Sequence, residues 1–104
     1  MIDGLADKLR EHRRLVILQA LNEDSTRSLN DETIAVVLRT MTIGTTRDVL
    51  RADLEWLERQ GLVSIEKLTG IGGVSLWGVT LRHDGLEVAT GIATHVGISR
   101  PGLR

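Results

Sequence analysis

Residues 45–81, TTRDVLRADLEWLERQGLVSIEKLTGIGGVSLWGVTL, constrain the fold more than any other part of the chain. Thr45 and Asp48 have the spacing of a capping box, with a shorter acid in place of the usual Glu or Gln. On a helical wheel Val49, Leu50, Leu54 and Leu57 form an inner face, whereas Arg47, Asp48, Arg51, Glu55, Glu58 and Arg59 point outward. Gly61 can take the left-handed conformation that ends a helix. LVSIEK and VSLWGVTL then follow as two runs of β-formers joined by the glycine-rich LTGIGG, which predicts a hairpin. An apolar-faced helix feeding straight into a hairpin needs further helices to cover both.

The preceding residues supply them. Ile2, Leu5, Ala6, Leu9, Val16 and Ala20 fall near one stripe that Leu15, Leu18 and Leu21 widen, predicting a long helix over 2–21 led by Asp3. NEDSTRS reads as a polar loop, and Asn30 as the cap of a second helix, with Asp31 and Glu32 favoured in its first turn by the helix dipole. Its inner face would hold Ile34, Val37, Leu38 and Met41, and TIGTT, with Gly44, makes a tight turn into the third helix. After the hairpin, TLRHDGLEVATG predicts a short helix capped by Thr80 and stopped by Gly91, with Gly85 allowing close backbone packing. The order is helix, helix, tight turn, helix, hairpin, helix. It matches an α+β winged helix-turn-helix, mainly helical, with a two-stranded wing and a short C-terminal helix. The expected organisation is one domain over 1–91 and an extended C-terminal tail over 92–104, IATHVGISRPGLR, which has no periodicity.

Composition bounds the function. At 104 residues and 41% hydrophobic the chain suits a single core. The absence of Cys removes disulfides, thiolate metal sites and Cys nucleophiles. No apolar run is long enough to span a bilayer, and the acidic N-terminus is unlike a signal peptide, so a cytoplasmic location is expected. Thirteen Lys+Arg against fourteen Asp+Glu leave a formal charge of −1, short of the basic excess usual where phosphate contacts dominate.

LEWLERQGLV and VTLRHDGLEVA resemble the end of the recognition helix and the segment after the wing in winged-helix transcription regulators. More narrowly, REHRRLVILQAL, TRDVLRADLEWLERQGLV and the tail VGISRP resemble small proteins of Mu-like phages and prophages, sometimes labelled ArsR-like regulators. The resemblance implies a phage origin, hence the cytoplasm of a bacterial host, and a winged-helix fold. It departs from metal-sensing ArsR proteins, because no Cys sensor motif is present.

The DNA-binding candidates follow from the third helix. Its first turn would enter the major groove with Arg47 and Arg51 as readers of base edges, while Thr45, Thr46, Lys67 and Arg14 position the backbone of double-stranded DNA. The competing reading pairs Arg51 with Glu55 along a solvated face, where Asp48 and Glu55 also repel phosphates. A homodimer through the first helix and the C-terminal segment is expected for a transcriptional regulator of this kind. The alternative is a protein-interaction module on the same frame, a phage assembly or host-takeover factor, suggested by the neutral charge and by Ile71 at the wing tip.

Other candidates have structural explanations. Asp53 lies on the core side of its helix and needs a buried partner, for which Arg13, Arg14 and Arg82 are available. Lys8, Arg10, His12, Arg13 and Arg14 form the densest basic cluster, interleaved with Asp7 and Glu11. His12, His83 and His95 lack helical metal-site spacing, GIGG is no dinucleotide fingerprint, and no nucleophile elbow or paired catalytic carboxylates occur. Trp56 and Trp77, the only aromatics, suit a core or interface better than base stacking. No catalytic residue, metal or cofactor is expected.

Overall fold

A computed structural model describes residues 2–102, with elements in the order α1 (Ile2–Glu23), β1 (Ser28–Asn30), α2 (Asp31–Thr40), α3 (Arg47–Arg59), β2 (Val63–Thr69), β3 (Ser75–Leu81) and α4 (His83–Thr90). A single 3-10 turn over Ile71–Gly73 forms the tip between β2 and β3. The three strands make one antiparallel sheet in the order β1-β3-β2. Val63 faces Leu81 and Lys67 faces Trp77 across β2 and β3, while Leu29 faces Val79 across β1 and β3. Four helices on a small sheet give an α+β fold, and no helix of the described residues is long and apolar enough to cross a membrane.

The core lies where the helices meet the sheet. Ile17, Leu18 and Leu21 of α1, Ile34 and Leu38 of α2, and Leu50, Leu54 and Leu57 of α3 are buried against Val63, Val79 and Leu81. At Gly85 in α4 a Cβ would lie 2.1 Å from the carbonyl oxygen of Leu62, just before β2, so only glycine lets the helix approach that backbone so closely. Gly61, with φ of 76°, ends α3, and the next N–H, that of Leu62, reaches back to the Leu57 carbonyl at 3.0 Å.

Several expectations are corrected. Asp3 lies inside α1 rather than at its cap. The polar loop before α2 ends in a short strand, β1, held by a 2.7 Å hydrogen bond between the Ser28 and Thr80 hydroxyls. That bond also explains why Thr80 does not cap α4: it belongs to β3, and the cap position falls to Arg82, with no side-chain hydrogen bond. Thr46, not Thr45, caps α3, its hydroxyl oxygen accepting from the Val49 N–H at 3.2 Å, so the Thr45–Asp48 box does not form. The turn between α2 and α3 has its left-handed residue at Thr42, with φ of 61°.

Met41 and Val49, expected inside, are 56% and 40% exposed, because α2 and α3 turn narrower faces inward. The stripe read along α1 divides: Leu5, Ala6 and Leu9 are exposed, whereas Leu15 to Leu18 and Leu21 are buried. The side chain of Ile2 lies outside the described residues.

The C-terminal segment folds back rather than extending. Ile98 is buried in the core, the Ser99 N–H donates to the Glu11 carbonyl at 3.2 Å, and the Ala93 N–H donates to that of Glu87 at 3.1 Å. The apolar Ile98 and the open backbone at Gly97, 2.9 Å from Trp56 by a virtual Cβ, give this aperiodic segment its docking site.

Candidate nucleic-acid interface

The surface formed by α2, the turn before α3, α3 itself and the hairpin carries five of the six expected contact residues. A groove of about 300 Å³ between α2 and α3 is lined in part by Arg39, Thr45, Thr46 and Arg47, with Glu32 and Asp31 on its α2 side. Thr46 is exposed, and although its oxygen caps α3, its hydroxyl proton is free to donate outward. Arg47 is exposed and reaches the Ser75 carbonyl at the start of β3.

Arg51 is held more tightly. Its Nε donates to Asp31 Oδ2 at 2.7 Å, a second nitrogen donates to the Ser75 carbonyl at 3.1 Å, and the guanidinium lies 4.5 Å from the centroid of Trp77. The other oxygen of Asp31 accepts from the Trp77 backbone N–H at 3.0 Å. The Asp31 side chain is only 2% exposed and that of Arg51 18%, so this is an ion pair largely removed from water. It ties the start of α2, the middle of α3 and the hairpin together. The Glu55 pairing expected for Arg51 gives way to a partner twenty residues distant.

Lys67 lies on the opposite strand with its ammonium 4.7 Å from the Trp77 ring, so Trp77 is approached by two cations. Arg14 stands apart from this surface. Its Nε donates to Asp53 Oδ1 at 3.0 Å and its Nη1 to the Gly97 carbonyl at 3.3 Å, while its guanidinium stacks 3.9 Å from the Trp56 centroid. Arg13 binds the other oxygen of the same carboxylate. Asp53 thus has the buried partners its wheel position demanded, two of the three arginines available to it.

Two residues of the surface were not singled out from sequence. Arg39 lines the groove beside Arg47, and as an exposed cation in the last turn of α2 it carries no local signal. Asp31 was assigned to the helix dipole, yet it shares a face with Ile34 and Leu38, a spacing that marks it as inward-facing. Arg39 and Arg47, with the Thr45 and Thr46 hydroxyls, can bind phosphate oxygens. The acids Asp48 and Glu55 on the outer face of α3 oppose a close approach of a polyanion.

No family model matches the chain, and no solved structure matches it significantly. It is similar to the uncharacterized protein gp26 of Escherichia phage Mu, with 38% identity over 98 residues that cover 94% of this chain and 96% of that protein. Identity at this level along nearly the whole of both chains bears out the resemblance to Mu-like phage proteins, and the chain belongs to the same family as phage Mu gp26.

Proposed function

We propose that the chain is a winged helix-turn-helix protein that binds double-stranded DNA as a homodimer and acts as a phage transcriptional regulator. The observation that carries this reading is the unit formed by α2, its short turn, α3 and the β2–β3 hairpin, with Arg39, Thr45, Thr46 and Arg47 gathered on one groove. In this reading α3 is the recognition helix and the hairpin is the wing. On this reading the ArsR-like label would extend to the fold alone, because the chain has no cysteine with which to sense a metal.

The geometry changes the roles first assigned. In this reading Arg47, Thr45 and Thr46 contact phosphates, and Arg39, which lines the same groove, joins them. Arg51 is a positioning residue: its charge is met by Asp31 and its plane by Trp77. Binding then rests on phosphate contacts, and sequence preference is weak.

The test is binding of purified protein to phage-genome and random-sequence fragments across a salt series. Arg39→Ala and Arg47→Ala should each weaken binding to every fragment and reduce the salt slope by about 1. Absence of binding at low salt would overturn the reading.

A second reading, a protein-interaction module on the same frame, is favoured by the wing tip. Ile71 is 100% exposed and its neighbours Leu68 and Val74 are each 43% exposed, an apolar patch where a phosphate-binding wing would carry cations. It predicts no nucleic-acid binding and loss of a protein partner on Ile71→Asp.

A further inference from the structure

Residues 91–101, GIATHVGISRP, begin on a glycine, carry another near the middle and end on proline, so they cannot continue α4. Gly91 and Gly97 both take positive φ, 86° and 96°. The chain then turns back on itself: a Cβ at Gly91 would lie 3.4 Å from the Pro101 ring, so the two ends of the segment meet in a compact loop.

The loop lies on α1 and α3. Ile98 is its buried side chain, and the Ser99 N–H donates to the Glu11 carbonyl of α1 at 3.2 Å. On the α3 side the His95 ring stands edge-on to Trp56, with centroids 5.3 Å apart and planes at 82°, and its Nε2 is 3.1 Å from Gln60 Oε1. A Cβ at Gly97 would come within 2.9 Å of two Trp56 ring carbons, so a side chain there meets both a forbidden volume and an unfavourable φ. The Gly97 carbonyl accepts from Arg14 Nη1 at 3.3 Å, while Arg14 Nε donates to Asp53 Oδ1 at 3.0 Å. One guanidinium of α1 thus holds the loop and α3 together, stacked on the ring that the loop covers.

The helix α1 packs most closely on α4 and α2, and the polar part of its link to α3 runs through Arg13, Arg14 and this loop. The contacts of residues 94–101 include no strand pair and a single buried apolar side chain, Ile98. A segment so held opens locally at a much smaller cost than the core.

We infer that residues 94–101 are a strap that sets α3 against α1, acting from the Gly97 carbonyl through Arg14 to Asp53, and that the strap opens as a unit while the core stays folded. Lifting it removes one of the two acceptors of Arg14 and uncovers Trp56. That loosens α3, whose other end carries the Thr46 and Arg47 side of the groove. The strap is therefore a conformational device that couples the C-terminal segment to the α2–α3 groove. The inference concerns the chain alone and is independent of DNA binding.

The test is amide exchange on the full chain, followed by NMR. In the parent, the Ile98 and Ser99 N–H groups, bonded to the different carbonyls of His95 and Glu11, should report one common opening that is faster than that of the β3 amides. Gly97→Ala should speed strap exchange by at least about tenfold. It should also raise that of the α3 amides Leu50 and Gln60 several-fold, with β3 unchanged. Because coupling is reciprocal, Arg14→Met, at the far end of the relay, should in turn speed exchange at Ser99. The chain has two tryptophans, so its two indole N–H resonances separate the sites: that of Trp56 should move in both variants and that of Trp77 should not. Ser99→Pro, which lacks the N–H donated to Glu11, is a second route to the open strap, read at Ile98. An open strap with α3 exchange still at the parent rate overturns the relay. Equal acceleration of strap, α3 and β3 would show global destabilisation instead, and strap amides as protected as β3 in the parent would rule out opening as a unit.

Discussion

Replacing Arg51 with methionine separates a structural arginine from a base-reading one. The substitution keeps an apolar stem over Trp77 and removes the guanidinium that donates to Asp31 at 2.7 Å. Asp31, 2% exposed, is then left with a single donor, the Trp77 N–H at 3.0 Å. Breaking a buried pair from one side costs about 3–5 kcal/mol. The lower end applies here, because the Arg51 side chain is 18% exposed and its loss admits water to the carboxylate. A loss of about 3 kcal/mol is a large part of the ~5–15 kcal/mol expected of a domain this size. It corresponds to a fall in Tm of roughly 12–24 °C.

The assay is urea unfolding of the parent, Arg51→Met, Asp31→Asn and the double variant. Asp31→Asn leaves an amide oxygen for the Trp77 N–H and no charge to strand. On that background Arg51→Met should cost about 1 kcal/mol or less, giving a coupling of about 2 kcal/mol. The midpoints should shift with the slope unchanged. A single-variant cost below about 1 kcal/mol with no coupling would put the pair among exposed ion pairs and refute the positioning role. DNA binding by Arg51 variants is interpretable only at a temperature where each is folded.

Three further outcomes follow from local geometry. Gly85→Ala should destabilise by at least about 1–3 kcal/mol, since its Cβ would meet the Leu62 carbonyl at 2.1 Å and backbone has to move; a neutral variant in the same urea assay would refute the close approach. Thr42→Asn should raise stability by about 0.5–1 kcal/mol, because a β-branched residue at φ of 61° is strained where Asn is tolerated, and a drop in Tm would contradict this. Asp24 accepts from the Thr26 hydroxyl and, at 2.9 Å, the Thr26 N–H, and these bonds hold its carboxyl below its usual range. Its stabilising effect is present above the ordinary carboxylate value and lost as pH falls through the lowered one. Melts of the parent and Asp24→Asn should therefore converge in acid, and a gap independent of pH would exclude the effect.

What could be read from sequence was whatever rests on local pattern. The α3 periodicity, the stop at Gly61, the glycine-rich hairpin tip and the Asn30 cap, whose side chain accepts from the Thr33 N–H at 2.8 Å, each depend on residues within a turn or two. What escaped was stabilised at a distance. β1 is three residues of no strong propensity and exists because β3 pairs with it. The Asp31–Arg51 pair spans two helices, and the i,i+4 rule pointed Arg51 to Glu55 instead. The docking of 92–101 turns on single contacts at Gly97, Ile98 and Ser99, which leave no periodic trace. On α1 a single wheel merged two opposed apolar faces, and Ile17, fully buried, was left out of the expected stripe. Of the candidate site, Thr45, Thr46, Arg47, Arg51 and Lys67 were legible as one surface, but the division between free and committed cations was not.

That division governs what α3 can do. One flank is fastened by Arg51 to Asp31 and the Ser75 carbonyl, and the other by Asp53 to Arg13 and Arg14 of α1. Charged side chains that in an isolated helix would be free to meet a ligand are spent on setting its orientation. The exposed side chains left on its outward face are Arg47, Asp48, Ala52, Glu55, Glu58 and Arg59, of which two are cationic and three are acidic. A helix so equipped cannot gain much from a major groove, where each bidentate base contact needs a free donor or acceptor fork of its own. Any DNA affinity would therefore rest mainly on cations acting on phosphate, with Arg39 and Arg47 at the groove. Such binding would fall steeply with salt, and in the proposed homodimer two copies held side by side would raise its strength.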